Sequence, residues 1–387
     1  MTKMNQMNQM QVISTLQYDR TLHNIEKLTN DHVLHVYDVF DQQYINQILK
    51  KGTPGAIVSD HLLKPPYSDP IPFFGLPLWV ANNTSMIIDG YKFDDNISTI
   101  NCFNFMINKK QINRFLCIKF VEWFKLSNFD YTWSALDQKF DMSDILTEIA
   151  LLGNQSPLDQ ATKSFILSPI KLEKRFIEFS EQTLTATDGV KNHGVDRWGN
   201  NGLSKMFLLP PPHIKVSVPA SAQMWVENYG GNSWTWRNGL NKMFLSSAIS
   251  LITESLKFEK TATFTEKTIY SVLGLTFPIW VGGYNQATEW KNIGFDVFDD
   301  IIDHSYQSYD TLIERCYYAF ANNLDLLSNK DKSAKLRLLC KDRLLKNQNL
   351  LLNNHLEIVV NNKISTYPQE LQLCMPEILK YFKYFNV

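Results

Sequence analysis

The chain runs to 387 residues, 44% of them hydrophobic and 13% aromatic, which excludes a disordered chain and supplies core enough for two domains. Its 38 basic and 39 acidic side chains leave a formal charge of −1, so no global field draws it to nucleic acid or to anionic lipid. Five scattered cysteines without C-x-x-C spacing read as reduced thiols of a cytoplasmic compartment, and no apolar run approaches the ~18 residues that span a bilayer.

The opening MTKMNQMNQMQ is polar and has neither a basic nor an apolar signal region, so residues 1–30 read as a disordered or loosely packed tail. Short runs rich in Val, Ile and aromatics then predict strands at 32–40 (HVLHVYDVF), 56–60 (AIVSD), 84–88 (SMIID) and 98–107 (STINCFNFMI). Residues 61–82 carry five prolines and read as an extended loop. In QINRFLCIKFVEWFKL (111–126), the positions Ile112, Phe115, Leu116, Ile118, Val121, Phe124 and Leu126 form one apolar stripe of a helix. YTWSAL (131–136) follows as a strand, and strand, helix, strand is the signal of a parallel sheet.

Residues 137–245 mix a helix around 169–181 with a segment rich in Gly, Asn and Trp, and the triplet Pro210–Pro212 marks the expected hinge between halves. Beyond it come a strand at 248–255, a helix from 266, a strand at 278–283, and helices at 285–292, 308–326 and 331–352. Lys332, Lys335, Lys341 and Lys346 fall mostly on the wet side of the last of these, a solvated face rather than a nucleic-acid patch. The expected division is a tail at 1–30, an N-terminal domain at 31–210, a C-terminal domain at 211–352 and an extension at 353–387.

The stretch ATFTEKTIYSVLGLTFPIWVGG (262–283) carries the clearest chemistry. Thr265 is a good N-cap, which puts Glu266 and Lys267 in the first helical turn. Free amides and the helix dipole favour an anion at that end, so a lysine there is out of place unless it faces one. A diphosphate met jointly by Lys267 and the amides, with Glu266 accepting from two ribose hydroxyls, accounts for the pair. The plain alternative is an exposed Glu and Lys on an ordinary helix start.

SLITESLKFEKTATFTEKTIYSVLGLTFPIWVGG (250–283) resembles the donor-binding region of fucosyltransferase-like glycosyltransferases of the GT-B fold, and more closely glycosyltransferase-like proteins of phages. The phage pattern continues into GFDVFDDIIDHSYQSYDTLIER (294–315), with His304 where that pattern has Glu, and an N-terminal motif is similar to INKKQINR (107–114), through Asn108, Lys109, Lys110 and Arg114. The resemblance covers roughly 98–135 and 240–326. It implies two Rossmann-like α/β domains facing across a cleft, with Glu254, Thr265, Glu266 and Lys267 lining a nucleotide-sugar site. It also implies that Gly282 and Gly283 let the backbone come close to the ligand. The loop between Glu254 and Glu266 is longer here than in the fucosyltransferase pattern, which makes Glu259 a rival contact.

Weaker candidates flank this block. NHGVDRWGNNG (192–202) gathers His193, Asp196, Arg197 and Trp198 among glycines, as functional loops or plain surface loops do. MWVENYGGNSWTWRNG (224–239) puts Trp225, Trp234 and Trp236 beside Arg237, as a sugar-stacking face or as core. Asp60 and His61 end a strand where an acceptor-activating base could sit. No D-x-D tripeptide, P-loop, G-x-G-x-x-G, H-E-x-x-H or G-x-S-x-G occurs.

The expected function is transfer of a sugar from a nucleotide diphosphate to a glycan or other hydroxyl acceptor, with no metal and no resident cofactor. Asp60 or His61 would take the acceptor proton. Lys267 and helix amides, with Arg237 or Arg114, would stabilise the leaving diphosphate. Two alternatives stand beside it. One is a phage-type transferase acting on a DNA base, which the neutral pI disfavours; the other is a catalytically silent nucleotide- or glycan-binding protein of the same fold. The expected location is the cytoplasm, that of the host if the protein is viral.

Overall fold

Strands that are apolar on both faces belong between layers of helix, and the chain's Val- and Ile-rich runs are placed there. The structure, a computed structural model, describes residues 10–14, 27–36, 47–59, 62–63, 70–78, 80–81, 92–107, 112–134, 157–167, 208–209, 244–254, 260 and 262–383. It is an α/β protein with two largely parallel sheets.

The first sheet contains β1 (Gln11–Ser14), β2 (His32–Val36), β3 (Ala56–Ser59) and β4 (Phe73–Gly75), in that order and all parallel. Two expectations need correction. The stretch 1–30 is not loose throughout, because β1 pairs residue for residue with His32–His35. The proline-rich stretch likewise contributes β4, which has β3 as its neighbour and can hold prolines near it as an edge strand. The strand expected at 84–88 and the helix expected around 169–181 lie outside the described residues.

The second sheet contains β5 (Asn101–Ile107), β6 (Phe129–Ser134), β7 (Leu208–Leu209), β8 (Ser247–Ile252) and β9 (Phe277–Trp280), in the order β7-β6-β5-β8-β9. Only β7 runs antiparallel. The division expected at residue 210 therefore does not follow the sheets: β5 and β6 precede it, β8 and β9 follow it, and all four are laid side by side. Pro278 is tolerated in β9 because β9 is an edge strand.

Helix α1 (Ile112–Trp123) links β5 to β6, α2 (Gln160–Ile166) follows, and α3 (Glu266–Leu273) links β8 to β9. The two crossovers lie on opposite faces. Phe103, Phe105, Ile249, Leu251, Phe277 and Ile279 share a core with Phe115 and Leu116 of α1. Ile252 and Trp280 alternate to the other side and pack with Ile269 and Tyr270 of α3. A sheet that winds outward in both directions from β5 and β8 has a switch point between them, and the crevice outside the carboxyl ends there is where such sheets take ligands.

The remaining helices are α4 (Gln286–Asn292), α5 (Leu312–Ala321), α6 (Leu324–Ser328), α7 (Lys330–Leu339), α8 (Lys341–Leu352), α9 (His355–Ser365) and α10 (Gln369–Lys383). The single helices expected at 308–326 and 331–352 are each broken into two, the second at Cys340. The stretch from 353 is not an appendage. Val360 of α9 and Leu371, Cys374, Met375 and Ile378 of α10 close one face of the first sheet over Val12, Val33, Ala56 and Val58. All five cysteines are free and buried, and no helix among the described residues is long and apolar enough to cross a membrane.

Candidate functional site

At the carboxyl end of β8 the chain leaves the ladder through Thr253 and Glu254, and at the end of β9 through Val281 and Gly282. Carbonyls released from a sheet need donors. The first turn of α1 supplies them. Asn113 Nδ2 donates to Glu254 O at 2.9 Å and to Val281 O at 3.4 Å, and Arg114 Nε and Nη2 donate to Thr253 O at 3.3 Å. Residues Ile112 to Val121 are all buried, so α1 is not the one-striped helix its apolar periodicity predicts. Its polar residues lie inside because they serve main-chain groups or one another: Lys119 Nζ, for example, lies 3.7 Å from Glu122 and 4.2 Å from the ring centre of Phe165.

Glu254 is fully buried and organises the start of α3. It accepts from the Thr265 amide at 3.0 Å, from Thr268 Oγ1 at 2.6 Å and from Thr265 Oγ1. Trp280 Nε1 completes the chain by donating to Thr268 Oγ1 at 3.0 Å. Thr265 is the N-cap, as its sequence position predicts, and its hydroxyl accepts from the Lys267 amide. Lys267, only 3% exposed, donates through Nζ to Thr265 Oγ1 at 3.0 Å and lies 3.9 Å from Glu254 Oε2. A first-turn lysine faces an adverse helix dipole and a burial cost, and the carboxylate beside it offsets both.

The amides expected to be free for an anion are in large part engaged. The Thr265 amide goes to Glu254, that of Lys267 to Thr265 Oγ1 and that of Thr268 to Thr265 O. Glu266 is the first residue of α3, and its side chain lies outside the described part.

Gly282 and Gly283 also differ from expectation. Gly282 adopts φ +84°, and a Cβ there would lie 2.7 Å from Leu312 Cδ1 and 3.1 Å from Asn113 Cβ. At Gly283 a Cβ would fall 1.6 Å from Gln286 Oε1. Both glycines thus admit the chain's own side chains. Arg315 fixes the same turn from below, with Nε to Gly282 O at 3.0 Å and Nη1 to Tyr309 O and Asp310 O at 2.8 and 2.9 Å.

The structure therefore brings together Arg114, Glu254, Thr265, Lys267, Gly282 and Gly283. Asp60, His61, Arg237, Glu259, the stretch 108–110 and the Trp-rich segments lie outside the described residues. Leu62, one residue past His61, donates its amide to Ala262 O at 3.0 Å and packs with the α3 core, so the first sheet's loop reaches the approach to Thr265. Sequence reasoning missed Asn113, Gln286 and Arg315. Asn113 and Arg315 had a signal, as members of the 107–114 and 294–315 blocks; Gln286 had none. His304 in the second block donates through Nε2 to Val297 O at 2.9 Å, and burial holds its pKa below the ordinary histidine value.

Elsewhere, a shallow depression of about 550 Å³ between α8 and α9 is lined by Lys346, Asn349, Asn353, His355 and Ile358 and holds none of the expected site residues. Part of the basic face of α7 and α8 is paired: Lys332 with Asp325, Lys341 with Asp95 at 2.8 Å, and Arg343 with Asp296 and Asp300 at 2.7 and 2.8 Å. Among the described residues no group of three His, Cys, Asp or Glu is placed to hold a metal. Compared with known protein families, with curated proteins and with solved structures, the chain matches none.

Proposed function

We propose that the protein is a glycosyltransferase of GT-B type, moving a sugar from a nucleotide diphosphate to an acceptor hydroxyl at the switch point of the second sheet. The observation that carries this reading is the buried Lys267, held by Glu254 and Thr265 at the carboxyl end of β8, where doubly wound sheets take their ligands. Structural needs alone would be met more cheaply by an apolar side chain at 267, since a buried ion pair rarely adds stability over a packed hydrophobic one.

In the proposed reaction the acceptor oxygen attacks the sugar's anomeric carbon as the bond to the diphosphate breaks, and the diphosphate leaves with the electron pair. Lys267 stabilises that growing negative charge. The acceptor proton passes to a base that the sequence assigns to Asp60 or His61. The contact of Leu62 with Ala262 supports this assignment, because it ties the loop that follows those residues to the donor side.

The test is calorimetric titration of GDP, UDP and ADP into wild type and Lys267→Met. Loss of a charge-assisted hydrogen bond should weaken the bound nucleotide by ~1.5–3 kcal/mol. An unchanged affinity removes Lys267 from the site, and a wild type that binds none of the three, nor slowly hydrolyses their sugar conjugates, overturns the reading.

A further inference from the structure

Two side-chain oxygens beside the glycine turn stand out because they are buried and yet have no donor among the described residues: Asn113 Oδ1 and Gln286 Oε1. Asn113 is 1% exposed and Gln286 is fully buried. Their orientation is fixed. Asn113 Nδ2 is directed at two carbonyls, and Gln286 Nε2 donates to Thr263 O at 2.8 Å; turning either amide round would set oxygen against oxygen. Asn113 lies against Gly282 and Gln286 against Gly283, and Gln286 also ties the turn to the segment that enters α3. A buried acceptor without a donor is costly, and a fold retains such atoms where something else completes them.

We propose that Asn113 Oδ1 and Gln286 Oε1 accept hydrogen bonds from hydroxyl groups of the ligand, so that this side of the site reads a polyhydroxylated ring and not the phosphates. An amide oxygen can only accept, and the doubly esterified diphosphate of a nucleotide sugar has no proton to donate at neutral pH, so the two are mismatched. Hydroxyls match. The shared chemistry is that of a ribose or of the transferred sugar, and the proposal rests on the nucleotide-sugar reading above.

Gln286→Met and Gln286→Glu both lose the donor to Thr263, but only the methionine loses the acceptor. Each is compared with wild type and with Asn113→Leu by calorimetry, after a thermal melt shows that it folds. The probes are pyrophosphate, GDP, UDP, GDP-fucose and UDP-glucose. Gln286→Met and Asn113→Leu should weaken the hydroxyl-bearing probes by about five- to tenfold relative to pyrophosphate, and Gln286→Glu should leave that ratio unchanged. A loss already present with GDP or UDP assigns the ribose. A loss confined to the sugar conjugates assigns the transferred sugar. An unchanged ratio in the methionine and leucine variants, or an equal loss for pyrophosphate, overturns the proposal while leaving the nucleotide-sugar reading intact. Wild type that binds no probe overturns that reading itself.

Discussion

Replacing Glu254 by Gln tests whether the carboxylate is the keystone of the α3 start. The carboxylate receives three hydrogen bonds, from one amide and two hydroxyls, and faces the Lys267 ammonium at 3.9 Å with both side chains at most 3% exposed. Glutamine keeps the shape but has one accepting oxygen, and its amide protons meet hydroxyls that already point inward. It also removes the anion facing a buried cation, a change that costs about 3–5 kcal/mol when one partner of a buried pair is lost. Against the 5–15 kcal/mol that holds a typical domain, such a loss is readily measured. Urea unfolding followed by circular dichroism should show the unfolding free energy fall by that amount, with a correspondingly lower midpoint, and adding Lys267→Met should recover part of it. A loss below about 1 kcal/mol, or a double variant in which the two losses simply add, refutes the argument that the pair is coupled.

Three further outcomes follow from other parts of the fold. Asn104, fully buried in β5, has neither a donor nor an acceptor among the described residues for its amide, so Asn104→Leu should raise stability by ~1–3 kcal/mol in the same urea assay; a loss would mean the amide is satisfied. Gly283→Ala should cost ~1–3 kcal/mol because Gln286 must give way, and most of that cost should vanish in the Gln286→Ala background, which a double-mutant cycle measures. His35, buried against Ser14 Oγ at 2.9 Å, has its pKa pushed down by burial to about 3. The unfolded chain then takes the proton first, so stability is full above pH ~6.5 and falls on acidification toward pH 3 by up to ~1.4 kcal/mol per unit. His35→Gln should flatten the fall between pH 7 and 5, and an unchanged slope refutes the assignment.

Much of the second sheet was legible because its signals are local. Thr265 reads as an N-cap from its own chemistry, and the runs at 248–255 and 278–283 became β8 and β9 with ends moved by a few residues. The errors share a cause, which is that they depended on partners distant in sequence. A four-residue strand such as Gln11–Ser14 is identified only by its neighbour at His32–His35. Asn113 and Arg114 lie off the apolar stripe of α1, and their hydrogen bonds to the carbonyls of Thr253, Glu254 and Val281 become legible only when β8 and β9 are placed beside them. Gly282 and Gly283 were recognised as special, but what lies above them, Leu312 and Gln286, could not be read from the glycines. The proline triplet is a real break in composition, yet a central strand such as β5 recruits β8 regardless of the distance along the chain.

The helix that covers Val12, Val33 and Val58 begins at Gln369, more than 300 residues after the last of these in the order of synthesis. A growing chain adds about 5–20 residues per second, so this apolar face waits of the order of half a minute for its cover. During that time the strands made first are exposed to every other nascent chain nearby. A stop codon between Trp280 and Gln369 would make the wait permanent, and the truncated product would be a substrate for chaperones and proteases even though both sheets had been fully translated.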